Sequence, residues 1–375
     1  MISVKKQRLP NFEILCVMAM LMIVIGHFYW HGMLVTCPTD AYKITYSFFD
    51  LSQICQFSIL QILYIISNMG VNLFVMITGY FMITSPPKWE KVPIIWFQVM
   101  FYCVAIYAIV VGTGFFDLSI RGLVAQFLPI LSFKYWFVTQ YVGLIALSPL
   151  INILVNNLSK QQYRMLLIVL GAMDFIVLCY GYGLLYSGEH TLFHFIAMYL
   201  LAGYIRIHAA DISAKKSLIA FCLSVIVIFC LIVAYELGIN FRTNQGGNLV
   251  ISTALTENNS FTIFMSLFFF LWISKVEIKQ NWFTKSLVWM APYTFGVYLI
   301  HDSDYIRRLL WDSILRYADV YSPWFVAYIL ATCVAIMLVC VGIDFVRKQL
   351  FDLLRVNDRL TSLTHNVEQY FKNRL

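Results

Sequence analysis

Charge is scarce in this chain. Lysine, arginine, aspartate and glutamate together make up 12% of its 375 residues, whereas 61% are hydrophobic. Such an apolar composition excludes an ordinary soluble globular domain and is typical of a polytopic membrane protein. The chain also shows no internal repeat and no low-complexity linker, so a repeat protein and a string of tethered domains are not favoured.

The sequence contains many long apolar segments. Each has roughly the length of a membrane-spanning helix, about 17 to 25 residues. We therefore predict an all-α polytopic bundle of about ten transmembrane helices. The predicted spans are 10–32, 57–83, 92–114, 136–156, 163–184, 191–207, 218–237, 260–274, 287–301 and 323–346. Residues 120–133 are apolar but shorter, which favours an interfacial or re-entrant segment.

Basic residues orient these spans. With the N-terminus inside, 19 of the 26 lysine and arginine residues fall in cytoplasmic segments, as the positive-inside rule requires. We therefore expect both termini in the cytoplasm. The same bias and the attraction to anionic lipid head groups explain the net charge of +7, so membrane lipids are expected partners and nucleic acid is not. Residues 1–346 form the predicted membrane domain, and 347–375 form a basic amphipathic cytoplasmic tail.

Motifs of other site classes are missing as well. The nine cysteines contain no CxxC pair, so no zinc site or disulfide framework is indicated. Cys37 and Cys55 share the first predicted outer loop, and a disulfide between them stays open. No A-x-A cleavage motif follows the first apolar run, which we expect to remain as a span.

Histidines carry the strongest functional signal. His27 lies in the first apolar run, where an ionisable group is costly enough to suggest a function. His31 follows four residues later on the same helical face. His301 ends another predicted span and Asp302 follows it, and a carboxylate beside an imidazole can fix its tautomer. The pattern predicts a site at the outer end of the bundle, although interfacial histidines with a purely structural role stay open.

The other polar residues near this end have structural alternatives. The HxxxH spacing of His27 and His31 is compatible with metal ligands, but too few histidines converge for a membrane di-iron enzyme, so we expect no metal. Trp136 and Tyr141 lie where interfacial aromatics anchor spans, and their alternative use is stacking on a sugar. Asn72 belongs to a polar track that interhelical hydrogen bonds would explain.

Seven short motifs resemble, in order and spacing, acyltransferase family 3 of integral membrane enzymes. They are NFEIL at 11–15, GVNLF at 70–74, TGYF at 78–81, YWF at 135–137, LSPLIN at 147–152, YLLAGY at 199–204 and TFGVYLIH at 294–301. The resemblance covers nearly the whole chain. It implies an enzyme that moves an acyl group, usually acetyl from acetyl-CoA, onto a hydroxyl of a cell-surface or lipid-linked polysaccharide, here in a bacterial plasma membrane. No bound cofactor is implied, because acetyl-CoA is a substrate.

The resemblance also implies roles for individual residues. His27 matches the catalytic histidine of the family, and we expect His301 and Asp302 to assist it. The family has an arginine eleven positions before this histidine, where the present chain has Cys16. Eleven helical residues span about 16 Å, close to the length of a pantetheine arm, so this end of the helix is expected near the CoA.

Further residues complete the predicted site. The basic residues Lys5, Lys6, Arg8, Lys88 and Lys91 are expected to compensate in part for the missing arginine. The acceptor and the reacting carbonyl are expected to contact His31, Asn72, Trp136 and Tyr141.

Two other functions stay open. A transporter would more often show internal repeats and helices broken by paired glycine or proline near the membrane midplane, and neither is clear here. A catalytically silent partner in glycan assembly is the other alternative, and Cys16 is the feature that supports it.

Overall fold

The computed structural model describes residues 9–36, 45–47, 50–180, 191–208, 212–243, 247–248, 259–315 and 318–372. Within these ranges the protein is almost entirely helical, which confirms the all-α prediction. Two-residue strands β1 (Thr45–Tyr46) and β2 (Gly247–Asn248) pair antiparallel.

Fifteen α-helices are described within those ranges. They are α1 (Pro10–His27), α2 (Leu51–Ser67), α3 (Gly70–Met82), α4 (Lys91–Gly112), α5 (Ile120–Phe127), α6 (Trp136–Asn156), α7 (Lys160–Tyr180), α8 (Leu192–His208), α9 (Ala214–Thr243), α10 (Ser260–Lys275), α11 (Trp282–Met290), α12 (Thr294–His301), α13 (Asp304–Leu315), α14 (Phe325–Leu353) and α15 (Val356–Lys372). A π-helical segment at Phe28–Thr36 follows α1, and a 3₁₀ turn at Ala291–Tyr293 joins α11 to α12.

Six helical stretches of the described chain are long and apolar enough to cross a membrane. They are Pro10–Met33, Leu51–Met82, Lys91–Gly112, Trp136–Asn156, Ala214–Gly238 and Phe325–Leu353. The helices α8 and α10 are apolar but shorter. A protein with several membrane spans is thus supported, whereas the number ten and the cytoplasmic termini stay predictions.

Two of the predicted spans are each divided into shorter helices in the structure. The span predicted at 57–83 begins earlier, where the Asp50 carboxylate accepts hydrogen bonds from the backbone amides of Ser52 at 2.8 Å and Gln53 at 3.4 Å. It is divided into α2 and α3 at Asn68 and Met69. The span predicted at 287–301 is divided by the 3₁₀ turn, where Pro292 lacks the amide hydrogen that a continuous helix needs.

Two glycines allow α3 to pack closely on both sides. A Cβ at Gly70 would lie 2.8 Å from the carbonyl oxygen of Ala19 in α1. A Cβ at Gly79 would collide with the backbone of Tyr199 in α8. Small residues at such contacts let membrane helices approach, and the resulting van der Waals contacts hold them together. Glycine in α3 thus fixes α1 and α8 around one central helix.

The first helix is the centre of the bundle. Ten of its eighteen residues are buried, and it contacts α2, α3, α10, α11, α12 and α14. The π-helical segment that continues it is held by Phe28, whose ring lies 5.7 Å from that of the fully buried Trp311 in α13. Single π-helical turns are frequent at functional sites. This segment carries Trp30 and His31 towards α13.

The chain after the predicted domain boundary at 346 is also helical. The helix α14 continues to Leu353, and α15 then runs from Val356 to Lys372. The boundary between a membrane domain and a tail therefore falls within α14, and the division into two domains stays a prediction.

A buried ion pair within α14 is joined to α4 by a tyrosine hydroxyl. Arg347 donates to both carboxylate oxygens of Asp344, from Nε to Oδ1 at 2.9 Å and from Nη2 to Oδ2 at 2.8 Å. The Tyr102 hydroxyl donates to Oδ1 at 2.6 Å. Asp344 is completely buried and Arg347 almost so. Buried charges need partners of this kind, because an unpaired one is strongly destabilising.

We predict that Arg347→Met lowers the free energy of unfolding by about 3–5 kcal/mol, because it leaves the Asp344 carboxylate buried without its cation. The double variant Asp344→Asn/Arg347→Met should recover most of this loss, since no buried charge remains. Denaturant unfolding of the protein in detergent measures both values. Equal stability of the single and double variants would contradict the prediction.

Candidate active site

Four side chains that the sequence singled out meet at one end of α1. His27 ends α1, His31 lies in the π-helical segment, His301 ends α12 and Asp302 follows it. We call these residues the histidine–aspartate cluster. Nδ1 of His27 lies 2.9 Å from Nε2 of His301, and the rings of His27 and His31 lie 4.9 Å apart. The structure thus brings together residues separated by about 270 positions in the chain.

Hydrogen bonds determine the tautomers of the two central histidines. Nδ1 of His301 lies 2.6 Å from the carbonyl oxygen of Val297, which can only accept, so this nitrogen carries a hydrogen. In a neutral His301, Nε2 then has a lone pair and accepts from Nδ1 of His27. A neutral His27 that donates through Nδ1 has its own lone pair on Nε2. The pair therefore presents His27 Nε2 as a proton acceptor.

Asp302 is the negative centre of the cluster. Its Oδ1 lies 3.4 Å from Nε2 of His31, 3.6 Å from Nδ1 of His27 and 3.3 Å from Nη1 of Arg307. Burial acts to raise the pKa of this carboxyl, but the imidazoles of His27, His31 and His301 outweigh it and hold the pKa well below its ordinary value. Asp302 is therefore a carboxylate at neutral pH and stabilises positive charge on the imidazoles.

Two clefts lie beside the cluster. An apolar cleft is lined by Met20, Ile23, His27, Val71, Phe74, Trp136, Phe137, Phe295 and Tyr298. A larger polar cleft is lined by Trp30, His31, Phe116, Lys134, Asp304, Tyr305, Arg307 and Arg308. His27 thus faces the first cleft and His31 the second. The cluster stands between an apolar and a polar space.

The predicted substrate-binding residues are distributed unevenly around these clefts. Trp136 lines the apolar cleft, and His31 lines the polar one. The Tyr141 hydroxyl lies 2.9 Å from Oγ1 of Thr78, and its ring stacks on Phe137 of the apolar cleft at 5.4 Å. Asn72 is fully buried away from both cleft linings, where its Oδ1 lies 2.8 Å from Nε2 of His194. Asn72 thus connects α3 to α8, and its predicted contact with the substrate stays a prediction.

The residues predicted to bind acetyl-CoA lie outside the histidine–aspartate cluster. Cys16 is half-buried and lies on α1 with Met20, Ile23 and His27 at spacings of four, three and four residues, which place them on one helical face. Lys91 begins α4, and its ammonium group lies 3.6 Å from Sδ of Met82. Lys88 precedes α4. Lys5, Lys6, Arg8 and Cys37 lie outside the described residues.

Three residues near these positions were missed by the sequence analysis. Arg307 binds Asp302 and also Asp304, at 2.8 Å and with an i,i+3 spacing that the sequence contains. Tyr298 lies three residues before His301 in the TFGVYLIH motif, and its buried hydroxyl interacts with the Asp302 carboxylate without a well-formed hydrogen bond among the described residues. Arg206 lies over the ring of Tyr80 at 4.9 Å, and Tyr80 packs on Phe12 of α1 at 4.8 Å. No local signal connects Arg206 to α1.

The cluster also has some features of a metal site. Ligand atoms of His27, His31 and Asp302 all lie within 4.8 Å of one another. However, His27 Nδ1 is engaged by His301, and the Arg307 guanidinium already neutralises Asp302. Hydrogen bonds therefore account for the geometry, and the expectation of no metal stays a prediction.

A protein-family model described as an acyltransferase domain matches residues 10–343. The match includes all four residues of the histidine–aspartate cluster and both clefts. No curated relative and no solved structure matches the chain.

We predict that Asp302→Asn lowers the free energy of unfolding at pH 7 by about 2–3 kcal/mol, because Arg307 and His31 lose a charged acceptor. Asp304→Asn is the matched control. The Asp304 side chain is 42% exposed, so its loss should cost less than about 1 kcal/mol. Denaturant unfolding in detergent measures the difference.

The difference in unfolding free energy between wild type and Asp302→Asn should depend on pH. The pKa of Asp302 is lowered on folding, below an ordinary value of about 3.9. Its stabilisation is therefore complete above about pH 4 and is lost as the pH falls through the folded value. The difference between wild type and Asp302→Asn should therefore shrink as the pH falls below about 4. A difference that does not shrink in strong acid would contradict this assignment.

Proposed function

We propose that this chain, which belongs to the acyltransferase family whose model covers residues 10–343, transfers an acetyl group from acetyl-CoA to a carbohydrate hydroxyl. The acceptor would be a cell-surface or lipid-linked polysaccharide outside a bacterial plasma membrane. In this arrangement about ten spans cross the membrane, both termini lie in the cytoplasm, and the polar cleft opens to the outer side.

One observation carries the proposal. The hydrogen bonds from Val297 through His301 to His27 leave the lone pair of His27 on Nε2, beside a cleft. An imidazole with a free lone pair is the commonest general base in enzymes. Asp302 lies 3.6 Å from the same ring and favours the imidazolium that forms when His27 accepts a proton.

The reaction follows from this geometry. The acceptor hydroxyl gives its proton to His27 Nε2 while its oxygen forms a bond to the thioester carbonyl carbon. The carbonyl oxygen becomes an oxyanion in the tetrahedral intermediate. The carbon–sulfur bond then breaks, and the CoA thiolate leaves with the proton that His27 returns to it. The acetyl group ends on the acceptor oxygen, and the base is regenerated.

Tyr298 is the best-placed donor to the oxyanion. It lines the apolar cleft with His27, and the centres of the two rings lie 6.3 Å apart. Its buried hydroxyl makes no well-formed hydrogen bond to another described residue, although the Asp302 carboxylate acts on it, so it can donate to an oxyanion in the cleft. Donors fixed in a site that excludes water stabilise developing charge strongly. Asn72 is less suited to this role, because its side chain is engaged by His194 and Ser266.

The acetyl donor is proposed to enter along α1. The face with Cys16, Met20 and Ile23 leads to His27 through an apolar cleft, which suits a pantetheine arm better than a sugar. Phosphates of CoA need positive charge at the other end of this face. Lys88 and Lys91 remain candidates. Arg206 joins them, because it contacts α1 through Tyr80 and Phe12, and Phe12 lies one helical turn from Cys16.

A catalytically silent partner in glycan assembly is the second candidate function. Cys16 favours it, because a thiol cannot bind a phosphate as an arginine does. The variant Cys16→Arg tests this candidate directly. If the wild type transfers no acetyl and Cys16→Arg does, the chain has the catalytic cluster but lacks a working donor site.

We predict that His27→Ala lowers acetyl transfer by about 10²–10⁴-fold, the usual contribution of a general base. Mass spectrometry of surface polysaccharide from cells expressing matched amounts of each variant measures O-acetylation. His365→Ala is the control, because His365 is exposed on α15 far along the chain from the cluster. Full acetylation by His27→Ala would contradict the catalytic role, and no acetylation by the wild type would favour the silent partner.

We predict that Tyr298→Phe lowers kcat by about 10²-fold and leaves KM for acetyl-CoA nearly unchanged, because a donor to the oxyanion acts mainly in the transition state. Tyr135→Phe is the control. The Tyr135 hydroxyl donates to the Leu299 carbonyl at 2.7 Å, so its loss should lower stability rather than kcat alone. Steady-state kinetics on purified protein distinguish the two effects. A Tyr298→Phe enzyme with wild-type kcat would exclude this role.

A further inference from the structure

The polar cleft contains more positive charge than its own carboxylates neutralise. Its lining includes Lys134, Arg307 and Arg308 but only one carboxylate, Asp304. Lys134 Nζ lies 3.4 Å from Oδ2 of Asp304, and Arg307 Nη2 lies 2.8 Å from Oδ1 of the same residue. Arg307 also contacts Asp302 at 3.3 Å. Two cations are thus engaged by two carboxylates, and the third cation is Arg308.

Arg308 has no ion pair and no hydrogen bond among the residues that the structure describes. It is exposed and lies on α13, next to Arg307. Asp312 is one helical turn further on, at a spacing that permits an ion pair, yet no contact within 4 Å forms between them. The guanidinium at the wall of the cleft is therefore available to an anion from solution.

Aromatic side chains line the same cleft. Trp30 is 36% exposed, so part of its indole face is open to a ligand. Tyr305 is held by Phe116, with ring centres 5.0 Å apart, and by Lys134, whose ammonium lies 5.6 Å from the ring centre. Flat apolar faces beside charged groups match the two kinds of surface that an acidic sugar presents.

We propose that the polar cleft binds acceptor sugars that carry a carboxylate or phosphate group, with Arg308 as the residue that recognises the negative charge. This inference rests on the proposed function and specifies its acceptor class. A planar guanidinium binds carboxylate and phosphate through paired N–H donors. Trp30 and Tyr305 pack against the sugar ring. Arg307 holds Asp302 and thus couples the wall of the cleft to the catalytic histidines.

Binding measurements test the charge preference without requiring acetyl transfer. The probe is a glucuronic acid disaccharide, and its methyl ester is the neutral counterpart of nearly identical shape. Isothermal titration calorimetry uses the full-length protein in nanodiscs of neutral lipid, without acetyl-CoA. We expect the acid to bind about tenfold more tightly than the ester, and glucose 1-phosphate to bind more tightly than glucose. Higher salt should reduce both differences.

Two variants assign the preference to Arg308. Arg308→Gln should weaken binding of the acid about tenfold and leave binding of the ester unchanged. Arg359→Gln is the matched control, because it removes an equal charge from the exposed surface of α15, which does not line the cleft. Equal binding of acid and ester, or equal loss of both in Arg308→Gln, would overturn the proposal.

Lipid head groups carry phosphate too, and a second arm distinguishes them. The titration is repeated in nanodiscs that contain phosphatidylglycerol. Unchanged binding of the acid supports a sugar site. Loss of binding in these nanodiscs alone would assign Arg308 to lipid and overturn the proposal.

The outcome also separates this inference from the function on which it rests. His27→Ala should keep the preference for the acid over the ester, because His27 is not among the residues that line the polar cleft. Acid-selective binding without any acetyl transfer would support acid recognition by the polar cleft and contradict the proposed acyltransferase activity. Acetyl transfer to neutral and acidic sugars at equal rates would support the activity and contradict acid recognition.

Discussion

The hydrogen bond between His27 Nδ1 and His301 Nε2 is the contact on which the proposed chemistry depends. It joins α1 to α12 at 2.9 Å, and the Val297 carbonyl fixes the direction in which hydrogen is donated. The Val297 carbonyl defines the tautomer of His301, and His301 in turn defines that of His27. The lone pair of His27 is then on Nε2, which can accept a proton. Asp302 lies 3.6 Å from this ring and adds negative charge that favours the imidazolium formed when His27 accepts a proton.

The bundle holds this pair in place from several directions. Glycines 70 and 79 let α3 pack tightly on α1 and α8. The π-helical segment after His27 turns His31 towards Asp302, and the buried Trp311 holds α13 against that segment. Arg307 of α13 then completes the cluster by neutralising Asp302. The relative positions of α1, α12 and α13 therefore determine whether His27 can act as the proposed base.

Much of this arrangement was predictable from the sequence because its signals are local. Long apolar runs indicated membrane helices, and the four-residue spacing of His27 and His31 placed both on one face. Asp302 was expected beside His301 because the two are adjacent. The motifs also indicated the acyltransferase family, which the family model confirms.

Other features depend on contacts that no local pattern contains. The hydrogen bonds of Asn72 to His194 of α8 and Ser266 of α10 become visible only when three helices are packed together, and its role at the substrate stays a prediction. The contact of Arg206 with α1 passes through two aromatic rings and is invisible in the sequence. The break between α2 and α3 was missed because a continuous apolar run conceals it. The number of spans, the side of the termini and the substrates remain predictions.

The tautomer of His27 is the most direct test of the central claim. Nitrogen-15 NMR of the histidine-labelled protein in lipid distinguishes protonated from unprotonated ring nitrogens, and the His27→Ala spectrum identifies the signals of His27. At neutral pH we expect a proton on Nδ1 and none on Nε2 of His27, and a proton on Nδ1 of His301. A neutral His27 with its proton on Nε2 would have its lone pair on Nδ1, next to His301, and none on Nε2 for the acceptor hydroxyl. That result would contradict the account.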